Sequence, residues 1–218
     1  MLAIRTFRSA DLEALYAISL ATGHEGGDAS HLYEDRKLIG HIYSAPYALL
    51  EPQLALVVED DEGVAGFAVG TTDTGKWQER LEAEWWPKLR RQYADPAARP
   101  AAEWSADQRR AHAIHRPRRT PQLVVELYPA HLHLNLLERT QGRGAGTMLF
   151  SEWMARASQQ GGRGHACRRQ QCECTSRPVL VQARLRSLGA RGWRLGQHHL
   201  DGALLSPGSK ATLRDSVP

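Results

Sequence analysis

The 218-residue sequence is poor in sulfur and in long apolar stretches. Its three cysteines, Cys167, Cys172 and Cys174, fall inside one short segment. An odd, clustered set excludes a framework of paired disulfides. With His165 nearby, the spacing C-x4-C-x-C still lacks a second ligand pair and matches no common structural zinc site, so no metal is expected. No stretch approaches the roughly 20 apolar residues of a membrane span. Arg5, Arg8 and Asp11 interrupt the first residues before an apolar run reaches signal-peptide length. These absences predict a cytoplasmic protein with no membrane partner.

What is present fits one globular domain with a real core: 42% of residues are hydrophobic and 24% charged. The formal charge of +4 suits a polyanionic ligand, though many soluble proteins share it. Residues 94–121 contain Pro96, Pro100, Pro117 and Pro121 together with Arg109, Arg110, Arg116, Arg118 and Arg119. This reads as an irregular excursion with a solvated basic face. No aromatic residue interleaves with those arginines as a stacking platform requires, so no nucleic-acid partner is expected.

Along the chain, Leu2–Phe7 alternates as a strand, and Ser9 is placed to cap a helix carrying Leu12, Leu15, Tyr16 and Leu20 up to Gly23. Residues 23–52 read as loops with a short helix. Leu54–Val58, a charged turn at Glu59–Gly63 and Val64–Gly70 read as an antiparallel hairpin. Lys76–Tyr93 reads as a helix whose Trp77, Leu81, Trp85, Trp86 and Leu89 form the face that packs on a sheet. Leu123–Tyr128 and His131–Leu137 are strand-like. In the second, Leu132, Leu134 and Leu136 share one face, and His131, His133 and Asn135 the other. Gln141–Gly146 is a glycine-punctuated turn. Thr147–Gln159 follows as a helix that turns Met148, Leu149, Trp153 and Met154 to the sheet.

Strand, glycine turn, helix is an arrangement that cradles a pyrophosphate. Gly142, Gly144 and Gly146 permit close backbone approach, the helix offers its positive end, and Arg143 adds charge. It is not a Walker loop, since no Lys-Ser/Thr pair follows the last glycine. A dinucleotide fold is disfavoured because the preceding strands read as antiparallel.

The run from Leu134 to Gly146, L-N-L-L-E-R-T-Q-G-R-G-A-G, resembles motif A of the GNAT (GCN5-related N-acetyltransferase) superfamily, and the element order from Ile4 to Gly164 is similar to that of the family. Tyr128–Leu137, with Pro46-Tyr47 and Gly70–Thr74 before it, looks closest to bacterial GNAT proteins related to the C-terminal acetyltransferase-like domain of O-GlcNAcases. The resemblance implies an α/β (α+β) fold: a mixed, mostly antiparallel sheet splayed between its fourth and fifth strands, with flanking helices. It implies a core over residues 1–164 with a helical insertion near 76–121. Acetyl-CoA would be the co-substrate, its pantetheine arm on the backbone of Leu134, Asn135 and Leu136 and its pyrophosphate on Gln141, Gly142, Arg143, Gly144, Ala145 and Gly146. The reaction implied is attack by an amine on the thioester. The acceptor would be a small-molecule or peptide amine, the assembly a homodimer. The competing class is a non-catalytic GNAT-fold binding module; an intact glycine set favours the enzyme.

Residues 165–218 depart from the family. His165–Cys174 has neither strand nor helix period where a fifth strand is due. Dropping one nucleotide from a permitted back-translation of His165 onward instead reads M-R-V-G-V-N-S-A-N-A-R-A-V-R-F-W-S-R-R-G-F. That is a strand and then an Asn-Ala helix ending in Gly-Phe, at family spacing. The reading predicts that this part is out of frame, and that as written it is loosely attached and leaves the fourth strand's edge exposed; a divergent tail is the alternative. The candidates for the base are His133, reaching an amine through water, and Glu126 and Tyr128, one strand earlier in the sequence. Asp73, after the third strand, is a candidate substrate contact. A histidine on a strand is more often a packing residue, and that alternative stands beside the first.

Overall fold

The computed structural model of the chain describes residues 1–161 and the backbone of 179–184. In chain order its elements are β1 Ala3–Thr6, α1 Leu12–Ala21, α2 Leu38–Tyr43, α3 Ala45–Leu50, β2 Leu56–Asp60 and β3 Gly63–Thr71. There follow α4 Thr74–Arg80, α5 Trp86–Gln92, α6 Ala106–His115, α7 Gln122–Leu127, β4 Ala130–Leu136, α8 Ala145–Gly161 and β5 Val179–Arg184. The sheet runs β1-β2-β3-β4-β5, antiparallel as far as β4, with β5 parallel to β4.

The hairpin forms where the sequence places it. Asp60 Oδ1 accepts from the Glu62 amide at 3.0 Å, and Gly63 takes the positive φ of 108° that closes the turn. Period-two alternation then sorts the strands between two layers. Val57, Phe67 and Val69 face α1, α2, α3 and the tryptophan helices. Leu56, Val58, Ala68, Leu132, Leu134 and Leu136 face α8, whose Ala145, Leu149, Trp153 and Ala157 recur every fourth residue. Trp153 donates from Nε1 to the Leu54 carbonyl at 2.9 Å, so the largest side chain in that layer is also hydrogen-bonded. Met148, expected on that face, is 45% exposed, because it lies one position off the stripe. The tryptophan stripe of 76–93 packs into the other layer as read, with a π-helical turn at Leu81–Trp85 before Pro87 restarts the helix.

Several local readings are corrected. Ser9 does not cap α1: it opens a 3-10 turn, Ser9–Asp11, whose Asp11 carboxylate reaches back to accept from the Arg8 amide at 2.7 Å and pairs with Arg5. The excursion 94–121 contains a regular helix, α6, opened by a reciprocal Ser105–Gln108 capping box. Leu123–Tyr128 is not a strand. Pro121 presets the entry, its carbonyl accepts from Val124 and Val125, and α7 results.

The tail lies outside the described residues except for β5, so the frame-shifted reading cannot be laid against it. Within 179–184 the chain does supply a fifth strand, and β4's edge is paired rather than exposed. The pairing is continuous from Ala130↔Val179 to Asn135↔Arg184, so no splay opens along those six residue pairs.

Candidate functional site

At the end of β4 the chain makes a short 3-10 turn at Glu138–Thr140 and reaches the glycine segment. Gly142 and Gly144 adopt φ of 73° and 79°, and a Cβ at either would stand in open space. Gly146 has no such φ; it sits in the first turn of α8, where a Cβ would meet Leu136 at 3.4 Å. The first helical bond of α8 is Met148 N–H to Gly144 O at 3.0 Å. From Gly142 to Thr147, successive backbone N–H groups have no acceptor among the described residues. Alternating left-handed glycines and an uncapped helix start make a concavity of donors, the geometry that binds oxyanions.

The walls of this turn are tied down. Arg139 Nε meets Asp60 Oδ2 at 2.8 Å, and that hydrogen bond holds the Asp60 carboxyl below its usual range. Arg143 Nη1 bends back to the Arg139 carbonyl at 3.3 Å. Gln141 Nε2 donates to the Leu136 carbonyl at 3.0 Å. Leu137 N–H bonds Ala65 on the β3 side, so by strand alternation the Leu136 carbonyl faces the other edge, just past the last β4–β5 pair.

On the opposite face of β4 lies a polar cluster. Thr74 Oγ1 donates to the Pro129 carbonyl at 2.9 Å and touches His131 Nδ1 at 2.8 Å. Tyr47 Oη lies 2.7 Å from His131 Nε2 and 3.3 Å from His133 Nε2. Each hydroxyl has one proton to give. Thr74 spends its proton on Pro129, so His131 carries hydrogen on Nδ1 and accepts at Nε2. The short Tyr47–His131 contact then has the length of an O–H···N bond, and the longer one that of an N–H···O bond from His133 to Tyr47. Carried one step further, the chain of bonds makes His133 Nε2 the donor to Tyr47. Burial lowers the His131 pKa to about 4, which keeps its imidazole neutral, and raises that of the Tyr47 phenol. Tyr47 is held in turn by stacking on Trp77, ring centroids 4.3 Å apart.

Among solved structures, the chain matches one of SsHAT at 32% identity, over 83% of this chain and 81% of that one, with a TM-score of 0.69. The chain belongs to the GNAT superfamily. Weaker likenesses are to a GCN5-related N-acetyltransferase from Sphaerobacter thermophilus (12% identity, 84% of this chain and 37% of that one, TM-score 0.41) and to an acetyltransferase (16%, 73% and 76%, TM-score 0.45). No family model matches the chain.

Set in the GNAT fold, the residues singled out in the sequence separate into groups. Gln141 to Gly146 stand together at the head of α8. His133 stands in the histidine–tyrosine cluster. Leu134 and Asn135 lie within the stretch paired with β5, and the Asn135 side chain turns to Thr22 Oγ1 at 2.7 Å, leaving Leu136 as the residue beyond the pairing. Asp73 caps α4, accepting from the Lys76 amide at 3.0 Å. Glu126 is exposed on α7 and accepts from Gln122 at 3.0 Å, and Tyr128 ends that helix. Tyr47 and Thr74 were missed as partners of the histidines. Both lie in segments that carried the narrower family likeness, which was the one available signal. No group of metal-binding side chains occurs among the described residues, and no helix there is long and apolar enough to cross a membrane.

Proposed function

We propose that the chain is an acetyl-CoA-dependent N-acyltransferase in which His133 is the general base. The observation that carries this is the run of backbone N–H groups from Gly142 to Thr147, at the start of α8, that find no acceptor among the described residues. Such a concavity fits the pyrophosphate of a CoA thioester. The pantetheine arm then runs toward Leu136, since β5 takes the β4 edge at Leu134. An acceptor amine near His133 gives its proton to the imidazole as its nitrogen attacks the thioester carbonyl. The C–N bond forms, the C–S bond breaks, and the proton passes to the departing thiolate. The imidazolium formed is held through Nε2–H to Tyr47, so the chain back to Thr74 and Pro129 orients the base for both transfers.

Calorimetric titration with acetyl-CoA tests the cofactor half. Gly144→Val places a branched side chain at φ 79° and into the open space above the turn, and the affinity is expected to fall at least tenfold with helix content retained. Equal affinity in both proteins refutes the cradle. For the base, His133→Ala is expected to lower turnover of a responsive amine more than acetyl-CoA binding. An unchanged pH–rate profile removes His133 from the chemistry.

One observation favours the second reading, a GNAT-fold module that binds without catalysis. The continuous β4–β5 pairing narrows the groove in which the arm would lie. Acetyl-CoA binding with no transfer to any amine in a broad panel would establish it.

A further inference from the structure

Six arginines of the described residues are half-buried: Arg5, Arg80, Arg90, Arg110, Arg139 and Arg156. Five have a carboxylate within ion-pair distance: Asp11 and Glu59, Glu51 and Glu84, Glu82, Asp60, and Glu152 respectively. Arg110 does not. Its guanidinium donates from Nε to Tyr33 Oη at 3.0 Å and from Nη1 to Tyr43 Oη at 3.1 Å, and lies 5.7 Å from the centre of the Tyr43 ring. The second terminal nitrogen, Nη2, makes no hydrogen bond among the described residues. Burial opposes its charge, while the Tyr43 and Tyr33 phenols sustain it. A neutral phenol accepts a hydrogen bond but cannot neutralise a cation, and a partly desolvated cation without a counter-ion is costly.

The position of this charge matters. Tyr43 touches Arg110 on one side, and on the other its ring lies 6.0 Å from that of His133. One tyrosine therefore separates this guanidinium, without a carboxylate partner among the described residues, from the base proposed above. The Tyr33 phenol, having accepted from Arg110, keeps its own proton as a donor beside the same charge. A guanidinium fork with a phenol next to it is complementary to a carboxylate.

We propose that Arg110 is the subsite for a carboxylate on the acceptor, so that the substrate class is amines that also carry a carboxylate. The amine is presented to His133 and the acid is gripped by Arg110 across Tyr43. This rests on the acyl-transfer reading, which it deepens by naming the acceptor chemistry. It also accounts for an arginine half-buried in the middle of a segment whose other cations are solvated.

The test uses the full chain with acetyl-CoA and four acids of increasing length, glycine, β-alanine, 4-aminobutyrate and 6-aminohexanoate, each paired with its carboxamide. At least one acid is expected to exceed its amide about tenfold or more in kcat/KM, mainly through KM. In Arg110→Gln that ratio is expected to collapse toward one, with Arg110→Lys retaining part of it. A purely structural Arg110 would shift acid and amide together and leave the ratio untouched. Equal use of acids and amides by the wild type, or an acid preference that survives in Arg110→Gln, overturns the proposal. If acetyl-CoA binds and no amine is acetylated, the transferase reading fails by itself. The subsite is then read from thermal stabilisation by the same acids over their amides: loss of that difference in Arg110→Gln supports it, and its absence in the wild type overturns it.

Discussion

His131 offers the sharpest test of the cluster on β4, because its burial makes a signed, pH-dependent claim. Its imidazole pKa is lowered from 6.5 to about 4 by burial, with both ring nitrogens engaged by Thr74 and Tyr47. The unfolded chain therefore binds a proton at His131 through a range of pH in which the folded chain does not. Stability must fall as pH drops from about 6.5 to 4, and the full penalty is present below the folded value. At 1.36 kcal/mol per unit, the shift corresponds to about 3 kcal/mol. Protonation also removes the lone pair that receives the Tyr47 proton, so the bond chain that orients His133 must reverse or break. Urea unfolding of wild type and His131→Gln, followed by circular dichroism at half-unit steps from pH 7 to 4, isolates the effect. His41, also lowered by burial, titrates in both proteins and cancels in the difference. The wild type is expected to lose about 3 kcal/mol more than the variant across this window. Parallel losses refute the claim that His131 is buried neutral.

Trp153→Phe removes the donor to the buried Leu54 carbonyl and is expected to cost about 1–3 kcal/mol in chemical denaturation; a cost near zero would mean the bond is not held. Gly70→Ala drives a Cβ into the His131 carbonyl and to 2.8 Å from Leu132 Cα, backbone that cannot yield without parting β3 from β4. It is expected to cost about 1–3 kcal/mol, and an unchanged Tm refutes that packing. Glu126→Gln is expected to leave turnover and its pH profile unchanged, because the carboxylate is exposed and, among the described residues, bonded within its own helix. A tenfold drop in kcat would return Glu126 to the site.

The layers and the glycine turn were legible because they depend on local pattern. Alternation in His131–Leu137 sorts leucines from histidines whatever lies around it, and closely spaced glycines before an apolar stripe mark the turn that opens α8. The misreadings occurred where tertiary context overrides local preference. The β-branched pair Val124-Val125 favours a strand, yet Pro121 launches a helix there and no strand among the described residues pairs with its backbone. Helix α6 buries little beyond Ala111 and Ile114, so its apolar period is faint, although Ser105 and Gln108 announced its start. The cluster around His133 was out of reach in principle. Tyr47 lies 84 residues from His131, and nothing in either segment encodes the length of the bond between them. The solvated reading of the basic excursion failed at Arg110 for a similar reason, since Tyr33 and Tyr43 approach it from 77 and 67 residues away.

The pairing of Arg139 with Asp60 has an electrostatic consequence for whatever anion occupies the glycine turn. The arginine closest in sequence before Gly142 is already neutralised by the β2–β3 hairpin, with Glu62 a further 3.8 Å contact. An anion at the turn would therefore meet chiefly fixed backbone dipoles, with Arg143 as the exposed cation. Attraction between exposed charges is screened beyond about 8 Å at physiological ionic strength, whereas short hydrogen bonds from fixed N–H groups are far less sensitive. A site built this way keeps its grip as potassium chloride is raised, while the rate at which a polyanion finds it is set by the few solvated cations on the rim and slows.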